Sequence, residues 1–408
     1  MKHLIIGAGA AGIAGAKKIR ELRPGDEITV VSTDDAVYSR CMLHRYISGE
    51  RDKAALSFVP GDFFEKNNIR WIPGESVTGV YPANKQVLHT GGTEPYDKLL
   101  IATGAHSVLP PIEGLAGAKN VYGLRDLSDA KAIREGAGKA GSVVIIGAGL
   151  VGLDAAYGLL EIGKKPVVVE MADIILAANL DSDAAGVYQK KFEEAGCRFR
   201  LGSKVSRVVT DPSGAVKSVV LGDGGELPCD LLVVAAGVSP SAKFIKDSAI
   251  ATGQGIAVDK YLATSLPNIF AAGDVSGATS SWPGAVKQGE VAAHNMCGLP
   301  TVYDDTFDLK NTMNFFGVAS LSVGQVHPAI GDREHRRQSR GRYEKVITCG
   351  GVPVGVILQG NISRSGFWQH MVKNKINVAQ IPKPIWKVSF ADSYGVEANG
   401  EYKWAVRT

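Results

Sequence analysis

Met1–Gly15 reads MKHLIIGAGAAGIAG, and these residues decide the fold. Lys2 to Ile6 is a short apolar run of the kind that forms a buried parallel strand. Gly7-Ala8-Gly9-Ala10-Ala11-Gly12 is a G-x-G-x-x-G placed where that strand turns into a helix. The glycines act in different ways. Gly7 permits the tight turn, Gly9 lets the backbone approach a pyrophosphate, and Gly12 lets the helix pack on the strand. The helix N-terminus then attracts negative charge. One such loop is a weak signal, but the pattern recurs. Ser142–Ala156, SVVIIGAGLVGLDAA, repeats strand, loop and helix with Gly147, Gly149 and Gly152 in the same places. Two copies imply two nucleotide-binding modules.

At 408 residues the chain has room for two or three domains of about 150 residues each. A formal net charge of only +4 gives no case for nucleic acid or membrane attraction. The apolar stretch Leu4–Ala16 belongs to the first strand and helix, and no 18-residue apolar span occurs elsewhere, so a soluble, cytoplasmic protein without membrane insertion is expected. Five scattered cysteines, Cys41, Cys197, Cys229, Cys297 and Cys349, form no C-x-x-C, and no metal or iron–sulfur cluster is expected within the chain.

In modules of this kind the second strand ends in an acid that meets the adenine ribose. After Glu27–Val31 the sequence is Ser32-Thr33-Asp34-Asp35, which makes Asp34 the candidate, Asp35 the alternative and an ordinary acidic turn the competing explanation. In the second module Pro166–Val169 ends in Glu170, about 20 positions after the glycine loop. A carboxylate there favours NADH over NADPH, because it repels a 2′-phosphate.

Two further stretches make the pattern specific. Tyr96-Asp97-Lys98-Leu99-Leu100-Ile101-Ala102-Thr103-Gly104 and Thr264–Asp274, TSLPNIFAAGD, resemble the signatures that flank the inserted NAD domain in the FAD-dependent pyridine nucleotide-disulfide oxidoreductase superfamily, which includes rubredoxin reductases and NADH oxidases. The resemblance implies an α/β fold with two Rossmann-like nucleotide-binding domains and a C-terminal α+β interface domain. The FAD domain would be discontinuous, 1–112 and 242–304, with the NAD domain at 113–241 and the interface domain at 305–408. FAD is then expected at Gly7, Gly9, Ala10, Ala11, Gly12, Asp34, Arg40, Ala102, Thr103, Gly104, Gly273 and Asp274, the last on the ribityl chain. NAD is expected at Gly147, Gly149, Leu150, Val151, Gly152 and Glu170, with Gly237 ending the strand that returns to the FAD domain. Leu150 stands where many relatives carry an aromatic gate. The helix opening at Trp282 resembles the family's flavin-ring contact, with Gln288 as its polar member, although Gln288 and Gly289 are equally readable as ordinary helix residues.

The chemistry turns on Tyr38-Ser39-Arg40-Cys41-Met42-Leu43. A single redox cysteine sits here in CoA-disulfide reductases and NADH peroxidases, whereas rubredoxin reductase-like relatives carry proline, and Cys41 fits both alignments. A reactive thiol needs an electropositive, accessible setting, for which Arg40, His44 and Arg45 are the available cations; a small buried hydrophobe is the alternative. Arg45 and Asp154 match the positions of a lysine–glutamate pair that lies beside the flavin and nicotinamide in relatives, and an ordinary helix-surface ion pair is the competing explanation.

Near the C-terminus, Thr312–Val323 and Glu344–Gln359 read as strands and Ser363–Ile376 as a short helix capped by Ser363 or Ser365. Arg333–Arg342 is the most basic run, either a solvated loop or a docking site for an acidic electron carrier. Pro382, Pro384, Trp386, Phe390, Tyr394, Tyr402 and Trp404 crowd the tail, packing back or anchoring a partner. The overall pattern and Gly360-Asn361-Ile362-Ser363 resemble FAD subunits that couple iron–sulfur oxidoreductases to NAD, such as those of phenylglyoxylate dehydrogenase or tungsten aldehyde oxidoreductases. The function implied is FAD-dependent electron transfer between NAD(H) and an iron–sulfur or other redox protein, in a hetero-oligomer or homodimer. The alternatives are a self-contained Cys41-dependent NADH oxidase, peroxidase or CoA-disulfide reductase, and a structural flavin-bearing subunit.

Overall fold

The computed structural model describes residues 1–277, 281–304 and 310–404. Among these the α-helices are α1 (Ala10–Leu22), α2 (Leu43–Ile47), α3 (Phe63–Lys66), α4 (Leu127–Lys139), α5 (Leu150–Glu161), α6 (Ser182–Glu194), α7 (Trp282–Met296) and α8 (Ser365–Lys373). No helix among the described residues is long and apolar enough to cross a membrane. The chain forms two compact units. The first gathers Met1–Ile146, Asp154–Pro166 and Val205–Asp308; the second gathers Gly147–Leu153, Val167–Lys204 and the chain from Leu309 onward.

In the first unit Lys2–Ile6 is the central strand of a five-stranded parallel sheet. The order is Ile269–Ala271, Lys98–Ile101, Lys2–Ile6, Glu27–Ser32, Arg70–Pro73, with Leu4 facing Thr29 on one side and Leu99 on the other. A strand covered on both faces must be apolar at every position, which is why Leu4, Ile5 and Ile6 run without alternation. Ile5 and Leu100 face the core built by α1 and α7; Leu4, Ile6, Leu99 and Ile101 face the opposite layer. The two helices touch backbone to backbone: a methyl group on Gly289 would lie 2.1 Å from the Ala11 carbonyl oxygen. The same unit contains the parallel strands Val143–Ile146, Leu231–Val234 and Val121–Tyr122. It also holds α4, whose start is tied by a reciprocal capping box between Asp126 and Asp129.

In the second unit Val167–Val169 pairs in parallel with Arg198–Arg200. An antiparallel sheet of five strands follows, in the order Lys310–Phe315, Val318–Gly324, Val352–Gln359, Arg342–Cys349, Arg333–Ser339. The two stretches expected as strands are thus parts of hairpins, turning at Phe316-Gly317 and Gly350-Gly351, where all four residues have positive φ. The fold class is the expected one: parallel α/β sheets with a separate antiparallel C-terminal sheet.

Two local expectations are corrected. Arg333–Ser339 is an edge strand rather than a loop, because its backbone pairs with Arg342–Cys349. Neither Ser363 nor Ser365 caps α8; Arg364 holds the N-cap position without a side-chain cap bond. Its guanidinium instead binds the carbonyls of Trp386 and Val388 and lies over the Phe367 and Trp368 rings. Part of the aromatic tail packs back: Arg337 lies over the Trp386 ring and Phe390 meets Phe367 edge to face. The domain boundary expected at Asp305 and the side chains of Tyr394, Tyr402 and Trp404 fall outside the described residues.

Candidate functional site

The C-terminal ends of the first unit's parallel strands open onto a cavity of about 750 Å³. Gly7 closes the strand with φ 105°, and a methyl group on it would meet the Ala102 carbonyl oxygen at 2.3 Å. A methyl group on Gly12 would stand 1.9 Å from the Gly7 carbonyl oxygen. Gly9 differs, since a methyl group there meets nothing within 4 Å and points at open space. Protein packing thus requires glycine at 7 and 12, whereas the bare backbone at Gly9, Ala10 and Ala11 faces the cavity. The N-terminus of α1 supplies a positive dipole end and unpaired N–H groups, and α7 brings a second helix start to the wall through Ser281 and Trp282.

A line of charged and polar groups runs along the cavity. Asp34 accepts hydrogen bonds from the Tyr38 hydroxyl (2.8 Å) and Arg40 Nη2 (2.7 Å). Arg40 Nη1 donates to the Arg125 carbonyl at 2.8 Å, and Arg125 Nη2 lies 2.5 Å from Asp274 Oδ2. Burial raises the Tyr38 phenol, so it stays a donor to Asp34. Ala102, Thr103 and Gly104 line the same wall, where Thr103 Oγ1 donates to the Ser241 carbonyl at 2.8 Å. Gly273, at φ 81°, brings Asp274 to the mouth of its strand. Asp35 does not line the cavity and pairs with Lys53, whereas Asp34 lines it.

Cys41 lines this cavity and is exposed to it, yet its thiol is held above the ordinary range. Burial is the largest cause, followed by the nearby Asp154 carboxyl; Asp274 adds to both, and Arg125 opposes. The expected electropositive setting is therefore corrected. Arg40 is bound to Asp34, Arg45 is bound to Glu50, and His44 is pushed down to about 4 by burial and by Arg45, so it is neutral near pH 7. The expected Arg45–Asp154 ion pair is corrected too. Arg45 turns to Glu50 and lies over the Tyr157 ring, while His44 Nδ1 stands 3.6 Å from Asp154 Oδ1. Burial pushes Asp154 up to about 7, with Arg45 opposing. Both His44 and Asp154 thus lean to their neutral forms, and between about pH 4 and 7 their approach is a contact of neutral groups rather than a salt bridge. The helices meet this closely because α5 carries Gly158, where a methyl group would lie 2.7 Å from the His44 carbonyl oxygen.

In the second unit the second glycine loop has the geometry of the first. Gly147 has φ 101°, its N–H donates to the Val169 carbonyl at 2.8 Å, and a methyl group on Gly149 would meet nothing within 4 Å. Glu170 reaches back to this loop: Oε2 accepts from the Ala148 N–H (2.7 Å) and Oε1 from the Ala172 N–H (2.9 Å). Val151, at the start of α5, is 41% exposed, and Gly149 is exposed beside it.

Two glycine loops of this build, each with its acid, are what a flavin- and nicotinamide-using fold requires. The sequence profile of the pyridine nucleotide-disulphide oxidoreductases matches residues 1–289. The chain belongs to that family. It is 32% identical over 367 residues to NADH-dependent phenylglyoxylate dehydrogenase subunit epsilon of Aromatoleum evansii, with 86% of each chain covered. It is 28% identical over 389 residues to nitrite reductase [NAD(P)H] of Bacillus subtilis, covering 93% of this chain and 48% of that one, so it spans about half the length of this relative. Among solved structures, the ferredoxin reductase for the CYP199A2 system from Rhodopseudomonas palustris superposes with a TM-score of 0.83 at 25% identity, covering 93% of this chain and 96% of that one. Family membership bears out the reading of an oxidoreductase that uses FAD and NAD.

The residues present fit FAD. The open face at Gly9, two helix N-termini and a cavity in the range of cofactor sites form a cradle for a long, doubly anionic ligand. Two residues proposed from the sequence do not line it: Gly12, packed against the Gly7 carbonyl, and Gln288. Gln288 is fully buried outside the cavity lining, and its Oε1 accepts from the Gly273 N–H at 2.8 Å, because it lies in the second turn of α7 on the face packed against the strand end. Gln288 thus shapes the Gly273 turn instead of touching ligand. Gly237, at φ 107°, is a turn residue whose carbonyl accepts from the Val108 N–H. Sequence reasoning missed Arg125 and the place of Tyr38 in the cavity wall. The available signal for Arg125 was its place directly before the Asp126-x-x-Asp129 capping box, which marks a helix start.

Proposed function

We propose that this chain is the FAD-bearing component that passes reducing equivalents between NAD(H) and a separate redox protein, with an iron–sulfur carrier as the preferred partner class. The observation that carries this reading is the setting of Cys41. A thiol facing the cavity but held up by burial, Asp154 and Asp274 is poorly suited to act as a thiolate, so the flavin is left as the working redox group. Relatives support it: one bears the name of an NADH-dependent dehydrogenase subunit and a structural neighbour that of a ferredoxin reductase.

Bound FAD would supply hydride acceptance from nicotinamide and single-electron exchange with a partner. The chain supplies position and electrostatics. The loop Gly7–Gly12 and the N-terminus of α1 would hold the diphosphate; Asp34, fixed by Tyr38 and Arg40, would stand at the ribose; Asp274, fixed by Arg125, would hold the polar chain. Gly147–Gly152 and Glu170 would hold NAD(H). The second reading is a Cys41-dependent enzyme, favoured by the exposure of Cys41 to the cavity.

Anaerobic NADH titration of the flavin-loaded chain separates the two. Bleaching complete at about one NADH per flavin, unchanged in Cys41→Ser, supports electron transfer through flavin alone. Consumption of about two NADH per flavin with a long-wavelength band that Cys41→Ser abolishes overturns it. Failure of NADH to bleach the flavin overturns both in favour of a structural flavoprotein.

A further inference from the structure

Between Glu170 and α6 the second unit runs through a segment without regular structure, residues 171–181, which begins at the acid expected to meet the NAD ribose. This segment is tethered at three points. Leu176 donates its N–H to the Ala148 carbonyl of the glycine loop at 2.9 Å. The Ala177 carbonyl accepts from His327 Nε2 at 2.9 Å. Asp181 caps α6 through the Ala184 N–H (3.1 Å) and accepts from both the Tyr343 hydroxyl (2.5 Å) and Lys345 Nζ (3.0 Å).

Two of the three tethers come from the C-terminal sheet and its connections: Tyr343 and Lys345 lie on a strand, and His327 on the loop between Val318–Gly324 and Arg333–Ser339. Lys345 is almost fully buried, and its ammonium also meets Glu334 Oε2 at 2.9 Å and the Val326 carbonyl at 3.1 Å. Although burial pushes the Asp181 carboxyl up, the bonds from Tyr343, Ala184 and Lys345 hold it below its ordinary value, so it is a fixed anion. Leu176 shows what the tethers achieve. It is a buried leucine at φ 53°, a left-handed conformation that a bulky side chain adopts only when its surroundings impose it. A segment held in a strained shape against the glycine loop is preorganised, and preorganisation lowers the ordering cost of binding.

We propose that the C-terminal sheet sets NAD(H) affinity without touching the dinucleotide, His327 and the Tyr343–Lys345 pair being positioning residues that hold segment 171–181 against the second glycine loop. This rests on the assignment of NAD(H) to that loop.

The test uses the full flavin-loaded chain and NAD⁺, which binds without turnover. Calorimetric titration is made on wild type, Tyr343→Phe, His327→Ala and the double variant, with amide hydrogen exchange followed in 171–181. Lys345→Met is avoided because it removes the cation beside the buried Asp181 carboxylate. The expected result is a Kd raised about threefold in each single variant and about tenfold in the double. Faster exchange confined to 171–181 accompanies it, flavin content is unchanged, and His327→Gln, which keeps an N–H donor, restores the affinity. A double variant that binds NAD⁺ within twofold of wild type, or binds weakly without faster exchange in 171–181, overturns the inference. Wild type that fails to bind NAD⁺ overturns instead the assignment of the second loop.

Discussion

His44 Nδ1 stands 3.6 Å from Asp154 Oδ1, across the close approach of α2 and α5, while Arg45 turns away to Glu50. Asp154 is raised to about 7 from an ordinary value of 3.8, so the folded state resists its ionisation. The penalty is absent below about pH 4, grows as pH rises, and is complete above about 7. Asp154→Asn removes it. The variant should match wild type in thermal stability at low pH and exceed it at pH 8 by ~1–2 kcal/mol, allowing for solvent screening at a side chain 28% exposed. Thermal melts between pH 4 and 8 check this. Because the Asp154 carboxylate also raises the Cys41 thiol, alkylation of Cys41 by iodoacetamide should shift to lower pH in the same variant.

The glycines of the first loop separate by what surrounds them. Gly12→Ala drives a methyl group into the Gly7 carbonyl oxygen and should destabilise the flavin-free protein by about 1–3 kcal/mol. Gly9→Ala meets nothing in the protein. It should leave the melting of the flavin-free protein unchanged and weaken FAD binding tenfold or more, as fluorescence titration of the apoprotein with FAD will show.

Arg125 and Asp274 form a pair about four-fifths buried at 2.5 Å. Each single alanine variant should lose flavin on dialysis. A double-mutant cycle on apoprotein stability should return a coupling of ~1–2 kcal/mol, since removing one partner leaves the other's charge enclosed.

Glu170 serves its glycine loop through both oxygens, on Ala148 and Ala172. Glu170→Ala should raise the KM for NADH about tenfold and narrow the preference for NADH over NADPH, because the loop relaxes and the carboxylate that opposes a 2′-phosphate is gone. Steady-state dye reduction with both nucleotides measures it.

Much of the molecule is written in local pattern. Unbroken apolar runs such as Leu4–Ile6 and Val143–Ile146, each followed directly by a glycine loop, read as buried parallel strands, and Gly7 and Gly12 are demanded by carbonyl oxygens that leave no room for a side chain. Asp34 and Glu170 were legible because each follows the second strand of its glycine-loop module, and Asp274 because the stretch that ends in it resembles a family signature.

Which partner a side chain takes was not legible. Arg45 and His44 are neighbours in sequence, and only the packing permitted by Gly158 decides that His44 faces Asp154. Gln288 reads as a ligand contact until the turn of α7 directs it at Gly273. Arg125 lies far in sequence from both Arg40 and Asp274, yet it joins them along one wall. The sequence alone determined where the strands, the glycine loops and their acids lie, because these depend on side-chain periodicity and on backbone space within a few residues. Tertiary structure alone decided the charge state at Cys41 and Asp154 and the bracing of segment 171–181, because burial and ion pairing depend on segments that meet only when the chain is folded.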